Sequence, residues 1–230
     1  MIPSLSKAGR PGSRGEPEKT RAAILKAALE EFSNEDVTGA RTDEIARSAG
    51  VNKALLYYYF KDKESLYAAV LEQVLTGIVS RVNTVLDRED LGAREKLLLY
   101  VETHFDHVAI SPLYPRLVQR EAMRSGRNMH PLVGRFIDRQ WRPVYNKLMA
   151  LLTDGIAAGE FRPSDPAQTL TSLLGVMIFY FISSPTQQLM GPGDPFSPER
   201  IAARRAAVLD FVSTAIFSGT RPKSRRKPAR

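Results

Sequence analysis

Apolar residues recur along the first third of the chain at intervals that fit short helices packed around one small core. Ile24, Ala28 and Phe32 stand at i, i+4 and i+8, the stripe of an amphipathic helix. Ile45, Ala46 and Ala49 form a second, shorter apolar face, and Gly50 follows where a helix end needs a residue tolerant of a left-handed backbone. Val51 fits the gap between two helices, Asn52 is a good N-cap, and Leu56 and Phe60 make an inward-facing i, i+4 pair. The opposite face of this third helix carries Lys53, Ala54 and Tyr58. Asp62 is placed to cap a fourth helix, with Glu64 in its first turn and Leu66, Val70 and Val74 along its apolar side. Residues Thr42 to Lys63 therefore predict a helix-turn-helix, a device for setting one helix against DNA; a helical hairpin that only packs would satisfy the same spacing.

The remainder continues as helices joined by Pro/Gly loops, without strand-like alternation or an internal repeat. Helices are expected over Ala93 to Ala109 and Arg116 to Arg124. A long one over Pro131 to Ala158 should be kinked or split by Pro143. Asp165 and Pro166 read as N-cap and first turn of the next helix, which runs to about Ser183. Glycines and prolines from Pro185 to Pro198 predict a loop, and a regular stripe through Ile201, Val208, Phe211, Val212 and Ile216 predicts a last helix, Pro198 to Phe217. The fold class is all-α. It is expected to divide into a disordered basic arm (1–18), a helix-turn-helix domain (19–75), a larger helical domain for ligand binding and dimerisation (76–218) and a disordered basic tail (219–230).

Charge sharpens this picture by its placement. The 230 residues carry a net charge of +8, which invites a nucleic-acid reading. Five Lys and Arg against two Asp and Glu give +3 over residues 1–21, whereas six against nine give −3 over 22–75. Residues 76–218 contribute only +2, and the tail from 219 contributes +6. A mildly acidic helix pair must therefore bind phosphate through a few placed groups such as Lys53, Lys61 and Lys63, with the arm assisting. Within that arm, Gly9, Arg10 and Pro11 could lie in an A·T-rich minor groove.

Cysteine is absent, which excludes disulfide scaffolds, thiol catalysis and Cys-containing zinc sites. The N-terminus has no apolar segment of the secretory kind, and the apolar run Leu170 to Ile182 is too short to span a bilayer. A cytoplasmic protein without a membrane partner is expected. No phosphate-binding loop, dinucleotide fingerprint, nucleophile elbow or HExxH motif occurs, so no enzyme and no cofactor is expected. His104 and His107, at i, i+3 near Glu102 and Asp106, offer the one metal-like spacing and lack an obvious third ligand.

From Ala23 to Leu71 the segments ILKAALEEF, DEIARSAGV, NKALLYYYF and KDKESLYAAVL resemble, in order and spacing, the TetR-type bacterial transcriptional regulators. The resemblance covers about the first third of the chain. It implies a phosphate contact at Thr42 and base-edge contacts from Lys53, Ala54 and Leu55 at the head of the recognition helix. It further implies backbone contacts from Tyr57 and Tyr59, a base or backbone contact from Tyr58, and a phosphate clamp at Lys63. Hydroxyls donate to phosphate oxygens, lysines supply charge, and Ala or Leu packs on a thymine methyl. Core packing for the tyrosines, a simple cap for Thr42 and a solvated surface for the lysines are the plainer alternatives. Asp36, Ala40, Arg41 and Asp43 depart from the family's usual residues.

The same resemblance implies that the later helices enclose a small-molecule effector and form a homodimer. Tyr100, His104, Phe105, Tyr114, Met123, Phe136, Trp141, Tyr145, Met177 and Tyr180 are the candidates for lining an apolar cavity with a few polar tips. The last two helices would expose apolar stripes unless a second copy covered them, and two such copies would address double-stranded DNA at a palindromic operator. The expected function is a ligand-responsive repressor. An architectural DNA-binding protein using its basic ends, or a metal-dependent enzyme, are the competing readings.

Overall fold

The computed structural model describes residues 16–35, 37–111, 113–123 and 130–219. The step Gly9, Arg10 and Pro11, the position Asp36 and nearly all of the basic tail lie outside them. Eleven α-helices form among the described residues. They are α1 (Pro17–Asn34), α2 (Thr42–Ser48), α3 (Lys53–Tyr59), α4 (Lys63–Leu86), α5 (Ala93–Ile110), α6 (Tyr114–Met123), α7 (Pro131–Phe136), α8 (Arg142–Ala157), α9 (Pro166–Ile182), α10 (Ser184–Met190) and α11 (Pro198–Ile216). Helix α1 opens at Pro17, inside the expected arm. Proline at the first helical position sacrifices no intrahelical hydrogen bond, and Glu18 meets the positive end of the helix dipole.

These helices group into two compact units, one within Met1–Gly77 and Ser111–Arg139 and the other within Ile78–Ile110 and Gln140–Arg230. In the first unit α1 packs on α2 and α6, and α2 packs on α3. Its core is the predicted stripe Ile24, Ala28 and Phe32 with Ile45, Ala46, Leu56, Phe60, Leu66 and Val70, all buried. Phe32 meets Tyr67 edge-on, ring centroids 5.0 Å apart. Helices α6 and α7, expected to belong with the larger domain, join this unit instead. Arg120 donates to the carbonyls of Phe32 and Asn34, each at 3.1 Å, and so satisfies acceptors that the end of α1 would leave open.

In the second unit α5 is central, packing against α8, α9 and α11. The expected long helix Pro131 to Ala158 runs on through a π-helical stretch at Ile137–Trp141, and Pro143 follows that stretch in the first turn of α8. A proline has no N–H to donate, and the wider π turn just before it is where the helical hydrogen-bond ladder adjusts. The expected loop from Pro185 is partly helical, because α10 follows α9 directly across a bend of 58°. No single helix among the described residues is long and apolar enough to cross a membrane. Where α8 ends, Gly155 lies under the ring of Phe161, and a Cβ at 155 would fall 2.3 Å from that ring. Phe161 stacks on Phe217 at 5.6 Å, and Arg94 donates to the carbonyls of Glu160 and Ser218.

Candidate nucleic-acid interface and helical core

Local hydrogen bonding makes the turn between α2 and α3. Gly50 adopts φ +68°, its N–H donates to the Arg47 carbonyl at 3.1 Å, and the Val51 N–H reaches back to Ala46 at 3.0 Å. This pair of bonds closes a helix through a left-handed residue, which glycine occupies without steric cost. Asn52 Oδ1 then accepts from the Leu55 N–H at 2.7 Å and starts α3. Asp62 Oδ1 accepts from the Ser65 N–H at 2.7 Å and starts α4, and its hydrogen bonds with Ser65 hold the carboxyl below its ordinary pKa.

Between these caps, Leu56 is the one buried residue of α3. Lys53, Ala54, Tyr57 and Tyr58 are exposed, Tyr58 at 81%, while Leu55 and Tyr59 are half-buried. A helix seven residues long is thus held by its ends and one anchor, with most of its surface exposed. Thr42 shares a hydrogen bond with the Tyr57 hydroxyl, oxygens 3.2 Å apart, so these two expected contacts form one pair of hydroxyls. Tyr58 and Tyr59 meet edge-on at 5.4 Å. Lys63 donates to the carbonyls of Thr38 at 2.9 Å and Ala40 at 3.2 Å. Two of its three N–H bonds therefore order the segment before α2.

The ten cavity candidates divide between the two units. Tyr114, Met123 and Phe136 belong to the first. Tyr114 and Phe136 are buried there, and burial pushes the Tyr114 phenol up to about 12. Met123 is 73% exposed, because the buried stripe of α6 is Tyr114, Leu117 and Glu121 and Met123 lies off it. In the second unit Tyr100, His104, Phe105 and Met177 are buried, whereas Trp141 and Tyr180 are half-buried. Tyr145 is exposed, one residue off the α8 stripe of Val144, Leu148 and Leu152. The Tyr180 hydroxyl donates to the Pro195 carbonyl at 2.6 Å.

His104 differs from the rest. It is 1% exposed, the ring of Tyr100 lies edge-on at 5.7 Å, and neither ring nitrogen has a hydrogen-bond partner. Burial, with a smaller push from His107, lowers its pKa to about 4, so the ring is neutral at pH 7. Its one donor and one acceptor suit an uncharged polar group on an otherwise apolar molecule. Among the described residues, no three His, Asp or Glu side chains are grouped to hold a metal ion.

Two contributors escaped sequence reasoning. Asp43 holds Lys53, with Oδ1 3.0 Å from the ammonium. Arg120 grips the end of α1 from 88 residues away along the chain. Neither pairing carries a local signal, since both join residues far beyond one helical turn.

Comparison with known proteins divides the chain into two family segments, the second of which takes in α6 and α7. Residues 24–70 match the family described as bacterial regulatory proteins, tetR family, and residues 94–212 match the tetracyclin repressor-like C-terminal domain. The HTH-type transcriptional repressor SCO4008 of Streptomyces coelicolor is 31% identical over 181 residues, covering 78% of this chain and 88% of that one. The ketosteroid transcriptional regulator KstR2 of Mycobacterium tuberculosis superposes with a TM-score of 0.67 at 21% identity, covering 86% of this chain and 95% of that chain. The regulator FadR of Bacillus subtilis, solved in complex with stearoyl-CoA, gives 0.60 at 22%, covering 83% and 96%.

Proposed function

From membership in the TetR family of bacterial regulatory proteins, to which this chain belongs, we propose a dimeric repressor that a small molecule releases from a palindromic operator. The observation that carries this reading is α3, anchored by Leu56, capped by Asn52 and otherwise offered to a partner. In this role Lys53, Ala54 and Leu55 meet base edges in the major groove. Thr42, Tyr57, Tyr58, Tyr59 and Lys63 reach the flanking backbone or bases. The chain would work in the cytoplasm, where its DNA is.

The dimer would form through α9 and α11. Phe179 is 66% exposed and Phe211 55% exposed, and a second copy would cover both. Two copies of each helix make a four-helix interface and set two recognition helices one DNA turn, or a small multiple of it, apart. The effector would enter the second unit beside His104, Tyr100 and Met177. The stearoyl-CoA bound by FadR combines a long apolar chain with a polar head, and amphipathic acyl compounds are the first class to test here.

Binding would favour a conformation whose recognition helices no longer match the half-site spacing. Coupling would run along α4, whose first residue Lys63 orders the segment before α2. It would also run along α6, whose Arg120 holds the end of α1.

Selection of bound fragments from random DNA, with sedimentation of the same sample, tests the reading. A palindrome enriched by a dimer is the expected result. A monomer at micromolar concentration, or an effector that binds tightly without changing operator affinity, would overturn it.

A further inference from the structure

Lys53 opens α3 and Asp43 sits in the first turn of α2, yet the Lys53 ammonium lies 3.0 Å from Asp43 Oδ1 and 3.2 Å from Oδ2. Both side chains are more than half exposed. An ion pair in that setting adds little to stability, because water screens it and two side chains must be held still. Its consequence is directional: a lysine that would otherwise sweep a wide cone points from the head of α3 toward the first turn of α2.

The carboxylate also stands where it opposes generic DNA binding. Asp43 neutralises the lysine that opens α3 and repels any phosphate that approaches it. The helix-turn-helix region is already net negative, so each cation withheld from phosphate matters. A residue with that effect is consistent with a gain in selectivity.

We propose that Asp43 is a specificity-determining positioning residue that makes Lys53 a reader of a G·C pair. The assignment rests on the reading of α2 and α3 as the DNA-facing pair. An ammonium that donates one hydrogen bond to a carboxylate keeps N–H bonds for strong acceptors, and guanine offers O6 and N7 side by side in the major groove. The N4 amino group of the paired cytosine lies next to O6 on the same edge, where the Asp43 carboxylate accepts from it. Ammonium and carboxylate, 3.0 Å apart, thus set a donor beside an acceptor against a base-pair edge with the opposite order.

The test compares the full-length protein with Asp43→Asn, Asp43→Glu and Lys53→Gln by selection from random DNA and by binding to the selected site over a range of salt. Asp43→Asn should lose preference for one G·C position in each half-site by about tenfold, the scale of a good base contact. Its log-affinity should fall more steeply with log salt, by about one unit per half-site, as the freed lysine moves to phosphate. Asp43→Glu, which keeps the charge, should retain most of the preference, and Lys53→Gln should lose it without a steeper slope. Thermal melting of each variant establishes that it is folded, and a purely structural Asp43 would leave the salt slope unmoved.

If the unmodified protein enriches no sequence, the regulator reading fails and this assignment with it. If it enriches a palindrome and Asp43→Asn enriches the same one with an unchanged slope, the role of Asp43 alone is overturned.

Discussion

In the first unit polar caps add to a small apolar core of short helices, whereas in the second longer helices pack around a buried polar ring without a hydrogen-bond partner. Helices α2 and α3 have seven residues each, far too short to persist alone in water. Asn52, Asp62, the bonds around Gly50 and the reach of Arg120 into the end of α1 fix the ends of the helices that close over this small apolar core. The second unit uses longer helices around α5, whose Tyr100, Val101, His104, Phe105 and Val108 are buried. There His104 has no partner for either nitrogen. A surface that must match DNA has to be rigid before it binds. A site that must respond to a small molecule can leave a hydrogen bond unmade until the molecule arrives.

The contrast is broken most severely by removing the anchor of α3. Leu56→Ala should cost about 2–5 kcal/mol, the range for emptying a fully buried leucine site, and abolish operator binding. Denaturant unfolding followed by circular dichroism measures the cost; a loss under about 1 kcal/mol would mean that α3 is held by its caps alone.

The buried polar ring gives the next largest effect. His104 is neutral in the folded chain down to about pH 4, whereas an unfolded histidine takes its proton near 6.5. The unfolded state therefore binds more protons below pH 6.5. Stability is full above that value, drains as pH falls toward 4 and then levels off. The amount is on the order of 3 kcal/mol. Acid unfolding of His104→Phe should lack this slope between pH 6.5 and 4, and identical slopes in the two proteins would remove His104 from the account.

Smaller effects separate fastening from reading. Asn52→Ala should cost about 1 kcal/mol through the lost cap of α3. Tyr58→Ala, at an 81% exposed position, should change stability by less than about 0.5 kcal/mol while weakening DNA binding. A Tyr58 variant with unchanged operator affinity would confine recognition to the head of the helix.

What could be read from the sequence follows the same division. Gly50, Asn52, Asp62 and Asp165 were legible because a cap acts within three or four residues, and each makes the expected bond or turn. The apolar stripes gave the helices because burial repeats with the helical period. Met123 and Tyr145 were misplaced because an aromatic or a methionine in a helix does not announce its face, and one residue is 100° of rotation. The start of α10 was hidden by the prolines and glycines around it, although Pro185 is harmless in a first helical turn. The grip of Arg120 on α1 and of Asp43 on Lys53 depends on elements brought together only by folding.

The contact between Gly155 and Phe161 also bears on how such a chain can diverge. With a Cβ at 155 falling 2.3 Å from the ring, a larger residue there forces the Phe161 ring out of its place. Position 161 should therefore shrink before 155 grows, since the reverse order passes through a clash. Descendants of this sequence should show changes at the two sites in that order, with glycine persisting in every lineage that keeps the ring.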